Sequence, residues 1–153
     1  MSLIESGSPL WTRRMRAIFR IVVGLLFIAH GTQKLFGFPP SPMPGGPVDP
    51  FTTLGVAGMI ELIGGTMIIL GLLTRPVAFL LAGEMSVAYF RVHYPRGLFP
   101  INNGGELAVL YCFAFLYLMV AGAGAWSLDA MISRNRHRGE PGDAHRRDIE
   151  AAA

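Results

Sequence analysis

Four long apolar stretches, separated by polar segments rich in glycine and proline, dominate the chain. A membrane helix needs about 20 residues to cross a hydrocarbon core of about 30 Å, and each stretch reaches or approaches that length. The stretches cover residues 17–36, 51–73, 76–92 and 106–126. The longer segments between them, residues 37–50 and 93–105, contain several Gly, Pro and Asn residues and are not typical of helix. The pattern therefore predicts an all-α fold, a transmembrane four-helix up-down bundle.

Two helix starts carry recognisable capping residues. Between the second and third stretches, Thr74 precedes Pro76 by two positions. Threonine is a frequent N-cap residue and proline is favoured in the first helical turn, so we expect Thr74 to cap the third helix. At the start of the fourth stretch, Asn103 and Glu106 have the spacing of a cap residue and an acid in the first turn.

The composition is that of a membrane protein. Hydrophobic residues make up 52% of the chain and charged residues 15%, against roughly 25% charged residues in soluble domains. The net charge is +3 and the mean hydropathy +0.45. The arginines concentrate near the two ends, at Arg13, Arg14, Arg16, Arg134, Arg136, Arg138, Arg146 and Arg147. Basic residues mark cytoplasmic flanks, so we expect a multi-pass protein of the bacterial cytoplasmic (inner) membrane with both termini in the cytoplasm.

These patterns divide the chain into three parts. Residues 1–15 form a cytoplasmic N-terminal segment, residues 16–126 the four-helix transmembrane domain, and residues 127–153 a basic, mobile cytoplasmic tail. Arg20, early in the first helix, is expected to snorkel to the cytoplasmic surface. The lone Cys112 excludes an intrachain disulfide and is expected to be a packing residue. We predict no nucleic-acid binding and no metal site, because the tail arginines lack interleaved aromatics and no His, Cys and carboxylate cluster has zinc spacing.

Two glutamates interrupt the apolar stretches. Glu61 lies in the second stretch and Glu84 in the third, each near the middle of the membrane by helical rise. A charge at that depth costs roughly 2.5–3.5 kcal/mol on insertion scales, so such residues face an interior, form pairs or mark a pathway. One interpretation is structural: the glutamates pair with Arg20, with Lys34 or with a backbone group. In the other, a protonated glutamic acid donates a hydrogen bond to a quinone carbonyl or relays protons.

Further polar residues gather in the outer half of the predicted bundle. His30 and Lys34 are four residues apart and share one face of the first helix. Together with Glu61 and Glu106 they form the candidate catalytic site, with Glu84 as proton relay. The alternatives are structural: Lys34 as an interfacial anchor, His30 as a hydrogen-bonded interior histidine, and Glu106 as a first-turn acid.

Four sequence blocks carry a family resemblance. They are His-Gly-Thr-Gln-Lys-Leu-Phe-Gly at 30–37, Glu-Leu-Ile-Gly-Gly at 61–65, Gly-Leu-Leu-Thr-Arg-Pro at 71–76, and Asn-Asn-Gly-Gly-Glu at 102–106. In order and spacing they resemble the DoxX family of small four-helix bacterial membrane proteins, over about residues 16–125.

The resemblance implies several functions. The related DoxD proteins form the membrane part of a thiosulfate:quinone oxidoreductase, and some DoxX proteins are linked to thiol and oxidative-stress systems. By resemblance, the chain is the membrane subunit of a quinone-linked oxidoreductase, with quinone as an exchangeable cofactor and none built in. The alternatives are a non-catalytic partner or assembly subunit of a larger membrane complex, and a small-solute or proton pathway. Whether it is an enzyme stays open. The partners implied are the lipid bilayer, membrane or soluble redox proteins, and further copies in an oligomer.

Overall fold

The structure, a computed structural model, describes residues 9–40 and 46–138. Six α-helices follow one another in this part: α1 Pro9–Phe36, α2 Thr53–Leu70, α3 Thr74–Ala88, α4 Pro100–Asn103, α5 Glu106–Ala121 and α6 Leu128–Arg138. A π-helical turn, Tyr89–His93, and a 3₁₀ turn, Tyr94–Arg96, continue α3. The described residues contain no strand, which confirms the predicted all-α fold. Within them, only α1 and α2 are both long and apolar enough to cross a membrane, so the four-span arrangement stays a prediction.

Helices α1 and α2 pack closely because glycines of the two helices face each other. A Cβ atom added to Gly31 would lie 2.8 Å from the carbonyl oxygen of Gly58, and one added to Gly24 would lie 3.1 Å from that of Gly65. Gly24 faces Gly65, and the later residue Gly31 faces the earlier residue Gly58. The two helices are therefore antiparallel. Small residues at such positions allow helix backbones to approach closely, as in many membrane proteins.

The core lies between α1, α2, α3 and α5. Phe27, Ile68, Leu81 and Phe115, one from each helix, are almost fully buried, and the Phe27 and Phe115 rings meet edge to face at 4.8 Å. The outward faces carry large apolar side chains that are more than half exposed, among them Ile63, Phe79, Leu110, Phe113 and Val120. Such contiguous apolar exposure is unusual for a soluble monomer and suits helices surrounded by lipid.

Arg20 is fully buried at the end of the bundle where α2 ends. Its Nη1 donates to the carbonyl oxygens of Ile68 and Ile69. Its Nε and Nη2 donate to the carbonyl oxygens of Ala123 and Trp126, each at 2.9 Å. The last carbonyls of a helix lack intrahelical partners and attract cations, so Arg20 caps α2 and ties the α5–α6 connection to it. The snorkelling prediction was wrong because these carbonyls give the guanidinium a full set of acceptors inside the protein.

The turn from α2 to α3 is held by a residue from the far end of the chain. Gly71 ends α2 at φ 65. The Asp129 carboxylate then accepts hydrogen bonds from the backbone N–H groups of Leu73 (2.8 Å) and Thr74 (2.9 Å). Thr74 is the first residue of α3 and its hydroxyl oxygen has no partner, so the prediction that it caps α3 was wrong. Asp129 supplies the cap instead, while Pro76 lies in the first turn as predicted.

Three boundaries differ from the sequence prediction. Helix α5 ends at Ala121, not near residue 126, because Gly122 and Gly124 take φ values of 78 and 76. The predicted tail begins with a helix, α6, in which the Ser127 hydroxyl accepts a hydrogen bond from the N–H of Ala130 at 3.2 Å. At the other end, residues 9–15 belong to α1. Residues 1–8 and 139–153 lie outside the described residues.

Candidate functional site

An ion pair joins α1 to α2 in the interior. The Lys34 ammonium donates to Oε1 of Glu61. The Glu61 side chain is 3% exposed and that of Lys34 is 24% exposed, so the pair lies at the edge of the buried region. Gly58 packs against the Cβ of Lys34, and Gly31 faces the Cβ of Glu61. The close approach of the two helices at these glycines is what brings the charged groups together.

Three buried carboxylate oxygens near this pair have no hydrogen-bond partner. They are Oε2 of Glu61 and both oxygens of Glu84. Glu84, on α3, is close enough to Glu61 and Lys34 for their charges to interact. Buried polar atoms are nearly always hydrogen-bonded, so these oxygens are exceptions whose hydrogen-bonding capacity the surrounding protein does not use.

His30 and Tyr111 complete this polar cluster, which we define as His30, Lys34, Glu61, Glu84 and Tyr111. The His30 ring meets the Tyr111 ring edge to face at 5.7 Å, and His30 is within electrostatic range of Lys34. Tyr111, on α5, is in turn within electrostatic range of Glu61. The cluster thus takes residues from all four core helices. Tyr111 was missed by sequence reasoning, because one tyrosine in an apolar run carries no distinguishing signal.

Glu106 stands apart from the polar cluster. It is the first residue of α5 and is exposed, and its side chain has no hydrogen bond or ion pair within the described part of the chain. The structure thus brings together four of the five predicted site residues. Membership of Glu106 stays a prediction.

Asn103 has a structural role in the connection between α3 and α5. Its side chain is buried, accepts from the N–H of Gly105 at 2.7 Å and donates to the carbonyl oxygen of Gly97 at 2.7 Å. The residue that caps α5 is Gly105, with no side-chain hydrogen bond, so the expected capping by Asn103 was wrong. His93 also belongs to this connection, where its Nδ1 lies 3.3 Å from the carbonyl oxygen of Asn103.

An apolar groove lies beside the polar cluster, and the cluster shows no metal-binding arrangement. A groove of about 360 Å³ between α2 and α3 is lined only by apolar residues, including Ile60 and Gly64, which lie one and three residues from Glu61 along α2. In residues 9–40 and 46–138, no group of three or more His, Cys, Asp or Glu side chains could hold a metal ion. The side chains of the polar cluster can donate and accept hydrogen bonds, carry charge and exchange protons.

Comparison with known proteins places the chain in a family. The sequence profile of the DoxX family matches residues 15–94. An uncharacterized protein of Haemophilus influenzae is 50% identical over 116 residues, which cover 74% of this chain and 87% of the relative. The inner membrane protein YqjF of Escherichia coli is 28% identical over 126 residues, 76% of this chain and 91% of that protein.

A third relative carries an activity in its name. The Bacillus subtilis protein named "Putative oxidoreductase CatD" is 26% identical over 129 residues, 80% of this chain and 90% of its own length. No solved structure matches the chain at a significant level. The family match covers more than half of the chain, and relatives are named membrane proteins, as the apolar exterior requires. The chain therefore belongs to the DoxX family of membrane proteins.

Proposed function

We propose that this DoxX protein crosses the cytoplasmic membrane four times, with both termini in the cytoplasm. The early part of α1 meets the ends of α2 and α5 at one end of the bundle, where Arg16 donates to the carbonyl oxygen of Ala121 and Arg20 to those of Ile68 and Ala123. That end also carries Arg13, Arg14 and Arg75, as expected of a cytoplasmic face. With its π-helical turn, the α3 segment spans residues 74–93, about 30 Å at 1.5 Å per residue, while α5 is shorter and needs local thinning of the bilayer.

We further propose that the polar cluster binds the head group of a quinone, and that the chain is the membrane subunit of a quinone-linked oxidoreductase. The observation that carries this proposal is the set of unpartnered oxygens on Glu61 and Glu84 beside the Lys34–Glu61 ion pair. The activity in the name of the Bacillus subtilis relative supports the same class. Bound quinone would supply the capacity to take up two electrons and two protons.

The residues fit such a head group. An ammonium group has three N–H donors, and Lys34 uses one on Glu61, which leaves donors for a carbonyl oxygen. Glu84, in its protonated form, donates a hydrogen bond and can pass its proton on. His30 lies beside Lys34 and can exchange protons with the outer side. The apolar groove between α2 and α3 offers a surface for an isoprenoid chain.

Quinone reduction by the purified chain tests this function. The full-length protein, alone and with proteins that co-purify from native membranes, is given decylubiquinone and thiosulfate, and quinone reduction is followed by absorbance. We expect Glu84→Gln to lower the rate about a hundredfold, the size of a typical acid–base contribution, because Glu84 is the proposed proton relay. Asp49→Asn, which removes an exposed loop carboxylate, is the matched control and should leave the rate unchanged. Absence of reduction above the protein-free rate in every condition contradicts the proposal.

A non-catalytic membrane subunit is the second candidate. The observation that favours it is α6, a helix outside the buried core that exposes Met131 and Ile132, as a docking helix would. Crosslinking in native membranes, followed by identification of the linked proteins, decides this point. A defined partner whose link requires Met131 and Ile132 supports the candidate, and recovery of the chain only as itself contradicts it.

A further inference from the structure

An open groove lies at the arginine-rich end of the bundle, away from the polar cluster. It has a volume of about 580 Å³ and is bordered by the start of α1, the α2–α3 turn, the α5–α6 connection and α6. Arg13, Arg16 and Arg75 line it. The only acid in its lining is Asp129, whose two oxygens already accept hydrogen bonds from Leu73 and Thr74. Three cations thus face one occupied carboxylate.

None of these three arginines has a carboxylate partner within the described residues. The one ion pair found there, with N and O within 4.0 Å, is Lys34–Glu61. Arg16 donates through Nη1 to the carbonyl oxygen of Ala121, but its buried Nε has no partner. The guanidinium of Arg75 lies against Gly122, where an added Cβ would be 3.4 Å from its Nε. The lining therefore carries three positive charges against the single negative charge of Asp129.

A second feature of the groove points to a polar ligand. Thr74 borders the groove, is 0% exposed, and its hydroxyl oxygen has no hydrogen-bond partner. An unpartnered hydroxyl, that of Thr74, and an unpartnered guanidinium N–H, that of Arg16, thus belong to residues that border the same groove. These are the groups with which proteins bind phosphate oxygens.

We propose that this groove is a binding site for a phosphate group. Guanidinium groups bind phosphate by charge and by paired hydrogen bonds, and basic pockets between helices at the cytoplasmic face of membrane proteins take anionic head groups. The phosphate is carried either by an anionic phospholipid or by free inorganic phosphate. The site is independent of the polar cluster and of quinone binding.

Titration of the full-length protein in dodecyl maltoside micelles separates the two sources. The probes are dioleoylphosphatidylglycerol, dioleoylphosphatidylcholine as zwitterionic control, and inorganic phosphate against chloride at equal ionic strength. The measurement is the apparent dissociation constant from the rise in the unfolding midpoint. Arg13→Gln and Arg75→Gln test the groove, and both residues are exposed with no side-chain hydrogen bond, so the fold tolerates their replacement. Arg14→Gln removes the same charge from a neighbouring residue outside the groove.

We expect each groove variant to bind the anionic lipid about fivefold more weakly, the effect of one basic residue near a membrane surface, and Arg14→Gln to bind as wild type. Selective binding of phosphatidylglycerol identifies the lipid head group. Saturable binding of inorganic phosphate with the same variant pattern identifies the free anion. Equal affinity for all probes overturns the proposal. So does a loss of affinity in Arg14→Gln as large as that in the two groove variants. Thr74→Val adds a second test, because it removes the hydroxyl without changing the charge. The proposed site is also overturned if Thr74→Val, Arg13→Gln and Arg75→Gln all bind every probe with the affinity of the wild type.

Discussion

Lys34 and Glu61 form an ion pair between α1 and α2, beside two glycines at which the helices lie close together. A Cβ added to Gly31 would lie 3.2 Å from the Cβ of Glu61, and one added to Gly58 would lie 3.1 Å from the Cβ of Lys34. The pair and the glycines are therefore two parts of one interface. The glycines set the distance between the helices, and the ion pair neutralises the charge of Glu61 inside it.

The ion pair should show strong coupling in a double-mutant cycle. Lys34→Met leaves the buried Glu61 carboxylate without its partner, and breaking a buried pair in this way costs roughly 3 kcal/mol. The double variant Lys34→Met with Glu61→Met should recover most of that loss, because two apolar side chains need no pairing. Denaturant unfolding in detergent measures the four free energies. Additive losses, with no recovery in the double variant, would show that the two side chains do not depend on each other.

Gly31→Ala should destabilise the protein although alanine favours helix. The added Cβ would lie 2.8 Å from two backbone atoms, Gly58 O and Leu62 N, which cannot move aside independently. Overpacking costs typically 1–3 kcal/mol, more than the roughly 0.5–1 kcal/mol that alanine contributes to a helix. Gly83 on α3 is the matched control, since a Cβ there meets no atom within 4 Å. We expect Gly83→Ala to raise the unfolding midpoint and Gly31→Ala to lower it. A rise in both variants would contradict the close approach of α1 and α2.

Replacement of Glu84 should affect stability and activity in opposite directions. Both of its oxygens are buried and unpartnered, so Glu84→Met removes a desolvated polar group and should stabilise the fold by about 1–3 kcal/mol. The same change should abolish quinone reduction if Glu84 relays protons. Unfolding and turnover are measured on the same preparations. A Glu84→Met protein that is destabilised would assign the side chain a structural partner instead.

Arg20→Lys should strongly destabilise the protein although lysine keeps the positive charge. Arg20 bonds to four carbonyl oxygens from α2 and the α5–α6 connection, and a lysine ammonium cannot reproduce the planar fork. Each lost hydrogen bond from a charged donor contributes about 1.5–3 kcal/mol, so we expect a loss of at least that size. Arg14→Lys is the control, because Arg14 is only half-buried and lies over the Trp11 ring at 5.8 Å. Equal stability of the two variants would contradict the capping role of Arg20.

Hydropathy predicted the all-α fold and the positions of its main helices. Continuous apolar runs mark α1, α2, α3 and α5, which together form the core. The sequence offered Lys34 as one pairing partner for Glu61, because a buried carboxylate needs a cation within reach, and the structure pairs the two. Residues that depend on tertiary contact were not predictable. Arg20 donates to Ala123, 103 residues later in the chain, and Asp129 accepts from Thr74, 55 residues earlier. No local sequence pattern encodes contacts between residues so far apart in the chain.

Equilibrium binding of decylubiquinone tests the central claim, that the polar cluster holds a quinone head group. Calorimetric titration of the purified wild-type protein should give saturable binding, and Asp49→Asn should bind equally well. We expect Glu61→Gln to bind about tenfold more weakly, a loss of about 1.4 kcal/mol, because it removes the charge that holds Lys34 in place. No saturable binding to wild type, or the same affinity in Glu61→Gln as in Asp49→Asn, would contradict the account.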